Sequence, residues 1–271
     1  MYPDRNPLQL KLEADQCING LYIQTSSVDC VELAAAAGFD YVILDEEHGT
    51  FGYAETVQMI RAAEASGICP IVRVPDHNAA HLRKVVEAGA MGVYVPDVRT
   101  AEQARAAIAA VKFRLGDNDG ARGACPTIRA TRSRGAEWGS FVEWSNRNIM
   151  IALLVESQQG FDNLDEILQV PGIDTIVLGR FDLAHELGLH GDRYGERLDS
   201  MFEQFVVKAR AAGVPFLARL KTLEFDSASR ERSHWIARGA RIFNLGSDRE
   251  FISRVFKQVL EPMRSVPVGA H

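Results

Sequence analysis

The amino-acid sequence predicts an α/β fold, a closed (β/α)8 TIM barrel in one domain. Three observations carry this. Short apolar runs recur eight times along the chain. Segments of helical periodicity alternate with them, as in parallel strands joined by crossover helices. The 271 residues are also a length at which such barrels fold as single domains. The alternative, a doubly wound open sheet, usually stops at about five to seven strands. No GxGxxG or P-loop follows any of the runs, so a nucleotide-phosphate site lacks its signal.

Residues 1–16 mix charge and proline and read as an arm over the barrel floor. Strand one covers 20–24. Ser27 is placed to cap a helix over 28–37, which Gly38 stops. Strand two covers 41–44. The next helix, 53–66, has Val57, Ile60 and Ala63 at helical spacing and ends at Gly67. Strand three (70–74), a helix (79–88) ended by Gly89, strand four (92–96) and a helix (101–111) capped by Thr100 follow. Residues 113–148 break the rhythm, with a weak helical stretch over 138–146; such a connection is usually functional or disordered. Strand five (149–155), a short helix (163–170) and strand six (175–179) restore it. A long helix (193–212), strand seven (214–218), a helix (224–238) and strand eight (241–246) come next. Asp248 caps a last helix, 250–263, and the tail over 264–271 reads as loose.

Composition excludes several functions. The formal charge of −6 argues against a nucleic-acid partner. No apolar run approaches the ~18 residues of a membrane span. The first residues lack the basic start and apolar core of a secretory signal. Cys17, Cys30, Cys69 and Cys125 are scattered without a CxxC pair, as in four free thiols of a cytoplasmic protein.

Barrel enzymes build their sites on the loops that follow the strands. Strand two runs into Asp45, Glu46, Glu47 and His48, a cluster of acids around a base. Such groups perturb one another's pKa as acid/base chemistry requires, and His48 is of the residue type suited to shuttling a proton. Strand three delivers Arg73, costly at the end of an apolar run unless paired, and suited to stabilising an enolate oxygen. Strands five and six deliver Glu156 and Asp182. Two carboxylates without a nearby Cys or His suit a hard divalent cation that completes its shell with water and substrate oxygens. The structural alternative pairs Glu156 with Arg73 and has Asp182 cap the next turn.

The ordered motifs Leu44-Asp45-Glu46-Glu47-His48-Gly49, Val72-Arg73-Val74, Glu87-Ala88-Gly89-Ala90, Val95-Pro96, Arg122-Gly123, Val155-Glu156 and Gly179-x-x-Asp182-Leu183 resemble the HpcH/HpaI family of class II pyruvate aldolases. The resemblance spans residues 17–260. It implies a barrel of the phosphoenolpyruvate/pyruvate-domain type. Its last helix would be swapped between subunits of a homo-oligomer, a trimer or hexamer. It implies a metal-dependent lyase that cleaves a 4-hydroxy-2-oxo acid to pyruvate and an aldehyde, with Mg2+, Mn2+ or Co2+ as cofactor. Carried over by position, Glu156 and Asp182 hold the metal, and Arg73 contacts the oxo-acid oxygens. His48 moves the proton with help from Glu87. Asp45 shapes the loop and orients a water or His48. The backbone around Gly179 receives the pyruvate carboxylate, with Glu47, Arg122, Arg180 and Phe181 around the substrate. No Schiff-base lysine is singled out, although Lys112 and Lys221 are present.

Three positions depart from the family pattern. Leu154 stands where a glutamine is common, Arg180 where a proline is common, and Glu46 where the motif has glycine. Arg180 adds a cation and, with Phe181, bulk. These changes keep open a polycarboxylate substrate, a C–C bond-forming synthase of the citrate-making kind, or a barrel that binds an oxo acid without turning it over. Of the arginines at 122, 129, 132 and 134, only Arg122 lies in a family motif; the others read as surface or subunit contacts.

Overall fold

The computed structural model describes residues 5–264, apart from residues 134, 191, 193 and 223. Eight parallel strands form the sheet: β1 (Ile18–Ile23), β2 (Tyr41–Asp45), β3 (Cys69–Arg73), β4 (Gly92–Val95), β5 (Met150–Val155), β6 (Thr175–Leu178), β7 (Leu217–Arg219) and β8 (Ile242–Ser247). Their order is β6-β5-β4-β3-β2-β1-β8-β7. A single parallel bridge, Ile176 to Phe216, joins the two ends of this order and closes the ring.

The helices are α1 (Pro7–Glu13), α2 (Val28–Ala36), α3 (Tyr53–Ser66), α4 (Ala79–Ala88), α5 (Ala101–Val111), α6 (Trp138–Asn148), α7 (Gln158–Asp162), α8 (Leu164–Leu168), α9 (Arg180–Glu186), α10 (Glu196–Ala211), α11 (Phe225–Ala237) and α12 (Asp248–Arg264). None is long and apolar enough to cross a membrane among the described residues.

Strand alternation sorts the side chains into two cores. Val42 and Leu44 face outward and pack with Met59, Ile60 and Leu82 of the helices. Tyr41 and Ile43 face inward, where Ile18, Ile71, Tyr94, Met150, Val177 and Ile242 meet them. Leu8 of α1 joins this inner cluster, and Asn6 ties α1 to the end of α6 by donating to the Asn148 carbonyl (2.8 Å). The inward series therefore runs from apolar to charged within two strands: Tyr41, Ile43, Asp45 on β2 and Cys69, Ile71, Arg73 on β3.

The structure departs from expectation locally. Strand seven begins at Leu217 rather than 214, because Pro215 has no N–H for the ladder. Pro215 instead gives its carbonyl to the Ile176 N–H (2.9 Å). The expected helix over 163–170 is the shorter α8, and an unexpected short helix, α7, precedes it across Asn163. The turns after strand six form the unexpected helix α9. The long helix starts at Glu196; its expected start at residue 193 and the tail over 265–271 lie outside the described residues.

Candidate active site

The register of three neighbouring strands places Asp45, Arg73 and Tyr94 side by side at one level of the barrel. Asp45 is fully buried and accepts two bonds from Arg73, at Nε (2.8 Å) and Nη2 (2.7 Å). Gln24 donates to the same carboxylate (2.9 Å), as does the His48 backbone N–H (3.2 Å). Burial alone would raise the Asp45 pKa, but the bonds and charge of Arg73 outweigh it and hold it low. The Arg73 guanidinium lies over the Tyr22 ring at 4.8 Å. Its Nη1 is 3.0 Å from Glu47 Oε2, and His48 Nε2 is 3.6 Å from that oxygen. His48 itself is half exposed at the mouth of a cavity of about 1000 Å³.

Glu156 lines this cavity together with Arg73 and Tyr94. Its Oε1 accepts the Asp97 N–H at 2.8 Å, from a residue held at φ +43°. Gly179 makes room for it: a Cβ there would lie 2.5 Å from Glu156 Cβ and 2.6 Å from Oε2. Burial first, then the nearby Asp182 and Glu47 carboxylates, push the Glu156 pKa up to about 8 against the pull of the Asp97 N–H. Asp182 is exposed at the cavity wall and makes no hydrogen bond or ion pair among the described residues. Glu156 is not ion-paired with Arg73 either, so the structural alternative for these two carboxylates does not describe this chain. Among the described residues no group of three or more Asp, Glu, His or Cys side chains gathers to hold a metal. The residues nonetheless fit a hard divalent cation: a crowded, desolvated carboxylate beside an unpartnered one, with all-oxygen donors.

The predicted residues Asp45, Glu47, His48, Arg73, Glu156, Gly179, Arg180, Phe181 and Asp182 thus lie in or directly against one cavity. Two others do not join them in this chain. Glu87 lies on α4 with Arg83 3.8 Å away, and no hydrogen bond or ion pair links it to His48 among the described residues. Arg122 is buried against the Phe113 ring (4.3 Å) and donates to Ser145 Oγ (2.9 Å), away from the cavity lining. Arg129 and Arg132 pair with Glu64; Arg134 lies outside the described residues.

Glu46 turns away from its neighbours. Its carboxylate is nearly fully buried between α3 and α4, where it accepts from Thr56 Oγ1 (2.6 Å) and pairs with His81. It therefore braces the loop from outside the barrel. Glu46→Ala takes a partner from partly buried His81 and from buried Thr56, whose hydroxyl keeps the Gly52 carbonyl (3.1 Å), and is expected to destabilise the fold by about 1–2 kcal/mol in chemical denaturation.

Sequence reasoning missed Tyr22, Gln24, Tyr94 and Asn244, which also line the cavity. Tyr22 and Tyr94 meet edge to face with centroids 6.2 Å apart. The available signal was their inward parity near the strand ends.

A model of the HpcH/HpaI aldolase/citrate lyase family matches residues 19–254. The chain is 32% identical over 196 residues to the 2-dehydro-3,6-dideoxy-6-sulfogluconate aldolase of Pseudomonas putida, covering 72% of this chain and 75% of that one. It is 29% identical to the hydroxypyruvate/pyruvate aldolase of Paraburkholderia phytofirmans, covering 96% and 98%. Among solved structures, the citrate synthase SbnG is similar at 28% identity and a TM-score of 0.84, covering 95% of this chain and 97% of that one. A family member from Burkholderia cenocepacia reaches 0.86 at 25% identity, covering 96% and 100%. The chain belongs to the HpcH/HpaI aldolase/citrate lyase family, and its named aldolase relatives are carbon–carbon lyases.

Proposed function

We propose that this family member is a divalent-metal-dependent lyase that cleaves a 4-hydroxy-2-oxo acid into pyruvate and an aldehyde. One observation carries the reading: a buried guanidinium, an exposed imidazole and two carboxylates suited to a cation line the same cavity. Glu156 and Asp182 hold the cation, Mg2+, Mn2+ or Co2+. When bound, it supplies Lewis-acid polarisation of the oxo group. Arg73, fixed by Asp45, donates to the oxo-acid oxygens and steadies the charge that develops there. His48, next to Glu47, takes the 4-hydroxyl proton as the C3–C4 bond breaks. A proton returned to C3 completes pyruvate. Gly179 keeps the backbone close enough to receive the pyruvate carboxylate.

The likeness to a citrate synthase structure supports a second reading, the same enolate chemistry run toward C–C bond formation. The exposed apolar residues of α12, Val255, Phe256, Val259, Leu260 and Met263, support a homo-oligomer, trimeric or hexameric, in which this helix packs on a neighbouring copy. Four free cysteines fit a reducing cytoplasm.

Exchange of the pyruvate methyl protons with D2O, followed by NMR, tests the shared step. Exchange is expected with added Mg2+, Mn2+ or Co2+ and is lost in EDTA. Activity that survives stringent chelation would sink the metal mechanism. Pyruvate release from a panel of hydroxy-oxo acids then selects the lyase. Silence across that panel, with consumption of an acetyl thioester and oxaloacetate, selects the synthase.

A further inference from the structure

We propose that Arg180, backed by Lys221 through the Asp199 carboxylate they share, forms a subsite for a carboxylate at the far end of the substrate from its 2-oxo group. This rests on the reading of the cavity as a 2-oxo-acid site. Arg180 follows Gly179 and lines the cavity wall, yet its side chain is only 10% exposed. A guanidinium withdrawn from water to this degree needs its donors matched.

They are matched only in part. Nη2 pairs with Asp199 of α10. Nε is buried with no hydrogen-bond partner, and Nη1 donates to nothing among the described residues. The group is nevertheless held in place, with the rings of Tyr194 and Phe202 at 5.4 and 5.2 Å. The arrangement is a preorganised guanidinium on a cavity wall whose donors the protein itself uses only in part.

Charge points the same way. Asp199 is shared, because Lys221 Nζ takes its other oxygen at 2.7 Å. Burial would raise the Asp199 pKa, but the hydrogen bonds from Lys221 and Arg180 outweigh it and keep this carboxylate ionised. Two cations around one anion leave a surplus of one positive charge. The other barrel arginines of the cavity are committed: Arg73 to Asp45 and Glu47, and Arg219 to both oxygens of Glu250 (2.7 and 2.8 Å). On α12, Arg249, Arg254 and Lys257 line the same cavity with Glu250, which Arg219 occupies, and Glu261. The guanidinium fork fits a carboxylate, and a surplus of one positive charge balances a carboxylate while falling short of a phosphate dianion.

A salt bridge that merely staples α9 to α10 is the competing account, and a matched pair of ligands separates the two. Isothermal titration of the full-length protein with Mg2+ compares 2-oxoglutarate with 2-oxopentanoate, which has the same length and lacks the distal carboxylate. The wild type is expected to prefer the diacid by about tenfold or more, the usual worth of a charge-assisted hydrogen bond. Arg180→Met is expected to bring the ratio near one, Arg180→Lys to keep part of it, and Lys221→Met to reduce it severalfold. Equal affinities in the wild type, or a ratio unchanged by Arg180→Met and Lys221→Met, would overturn the subsite. Proton exchange of pyruvate by the wild type is measured separately. Its absence removes the aldolase reading, while the titration still decides the subsite because it needs no turnover.

Discussion

Replacing Glu156 by glutamine is expected to abolish metal-dependent turnover and, at the same time, to stabilise the metal-free protein at alkaline pH. Glutamine keeps the size of the side chain and an oxygen for the Asp97 N–H, so the barrel wall is preserved. What it removes is the ionisation. The folded protein holds this carboxyl at about 8, against an ordinary 4.5. A group raised in this way contributes its full stability below pH 4.5 and loses it as pH rises toward 8. Glu47, also raised first by burial, adds in the same direction. The metal-free wild type is therefore expected to lose about 3 kcal/mol between pH 5 and pH 9, discounted from the full shift because buried carboxylates relax. A divalent cation should restore that loss by favouring the ionised form, and glutamine should remove both the loss and the cation's effect. Melting curves across pH, with and without Mg2+, check the sign. A melting temperature equally sensitive to Mg2+ in wild type and variant would show that Glu156 is not a ligand. The activity loss should exceed the roughly 100-fold typical of removing a supporting group near a metal.

The parts of this site that were legible in the sequence are those where an apolar strand ends in charge. Asp45 and Arg73 stand out because the runs before them are apolar on both faces, so a charge there must be paired or used. Glu156 and Asp182 follow the same logic one strand apart. Tyr22 and Tyr94 were hidden because an aromatic residue inside a strand reads as core. What makes them site residues is the register between β1, β2, β3 and β4, which is non-local. Glu46 was read with its neighbours because adjacency in sequence suggested one cluster. Successive side chains at a strand end point to opposite sides, and Glu46 goes out to His81 and Thr56 while Asp45 goes in. Glu87 and Arg122 came from resemblance rather than from spacing, and the single chain packs both outside the cavity. The barrel, its closure included, was legible from periodicity and length; that the closure rests on one bridge, from Phe216 beside a proline, was not.

Asp45→Asn is expected to cost the fold about 3 kcal/mol and to reduce turnover more strongly than it weakens substrate binding. The carboxylate is fully buried and takes four hydrogen bonds, from Arg73 twice, from Gln24 and from the His48 N–H. Breaking a buried ion pair from one side typically costs about 3–5 kcal/mol, because the remaining charge stays out of water. Glu47 still pairs with Arg73, which places the cost at the low end. Since Arg73 holds the Asp45 pKa low, this stability is present above the ordinary 3.8 and fades as pH falls through the lower folded value. The gap between wild type and variant should therefore narrow in acid. Removing both partners tests the origin of the effect. In Asp45→Asn combined with Arg73→Met the buried guanidinium is no longer stranded, although Glu47 loses its Arg73 partner, so the double variant should be more stable than the sum of the singles predicts, by about 1–3 kcal/mol. Strict additivity would mean that the pair is not coupled and that the loop is held by Glu46 instead. Turnover gives the complementary reading. Arg73 in the single variant keeps its charge but loses one of the two bonds that aim it, because asparagine offers a single acceptor oxygen, so the rate should fall with orientation while the attraction for an anionic substrate persists. A large drop in kcat with KM changed only severalfold is the expected signature. The reverse pattern would assign Arg73 to ground-state binding alone.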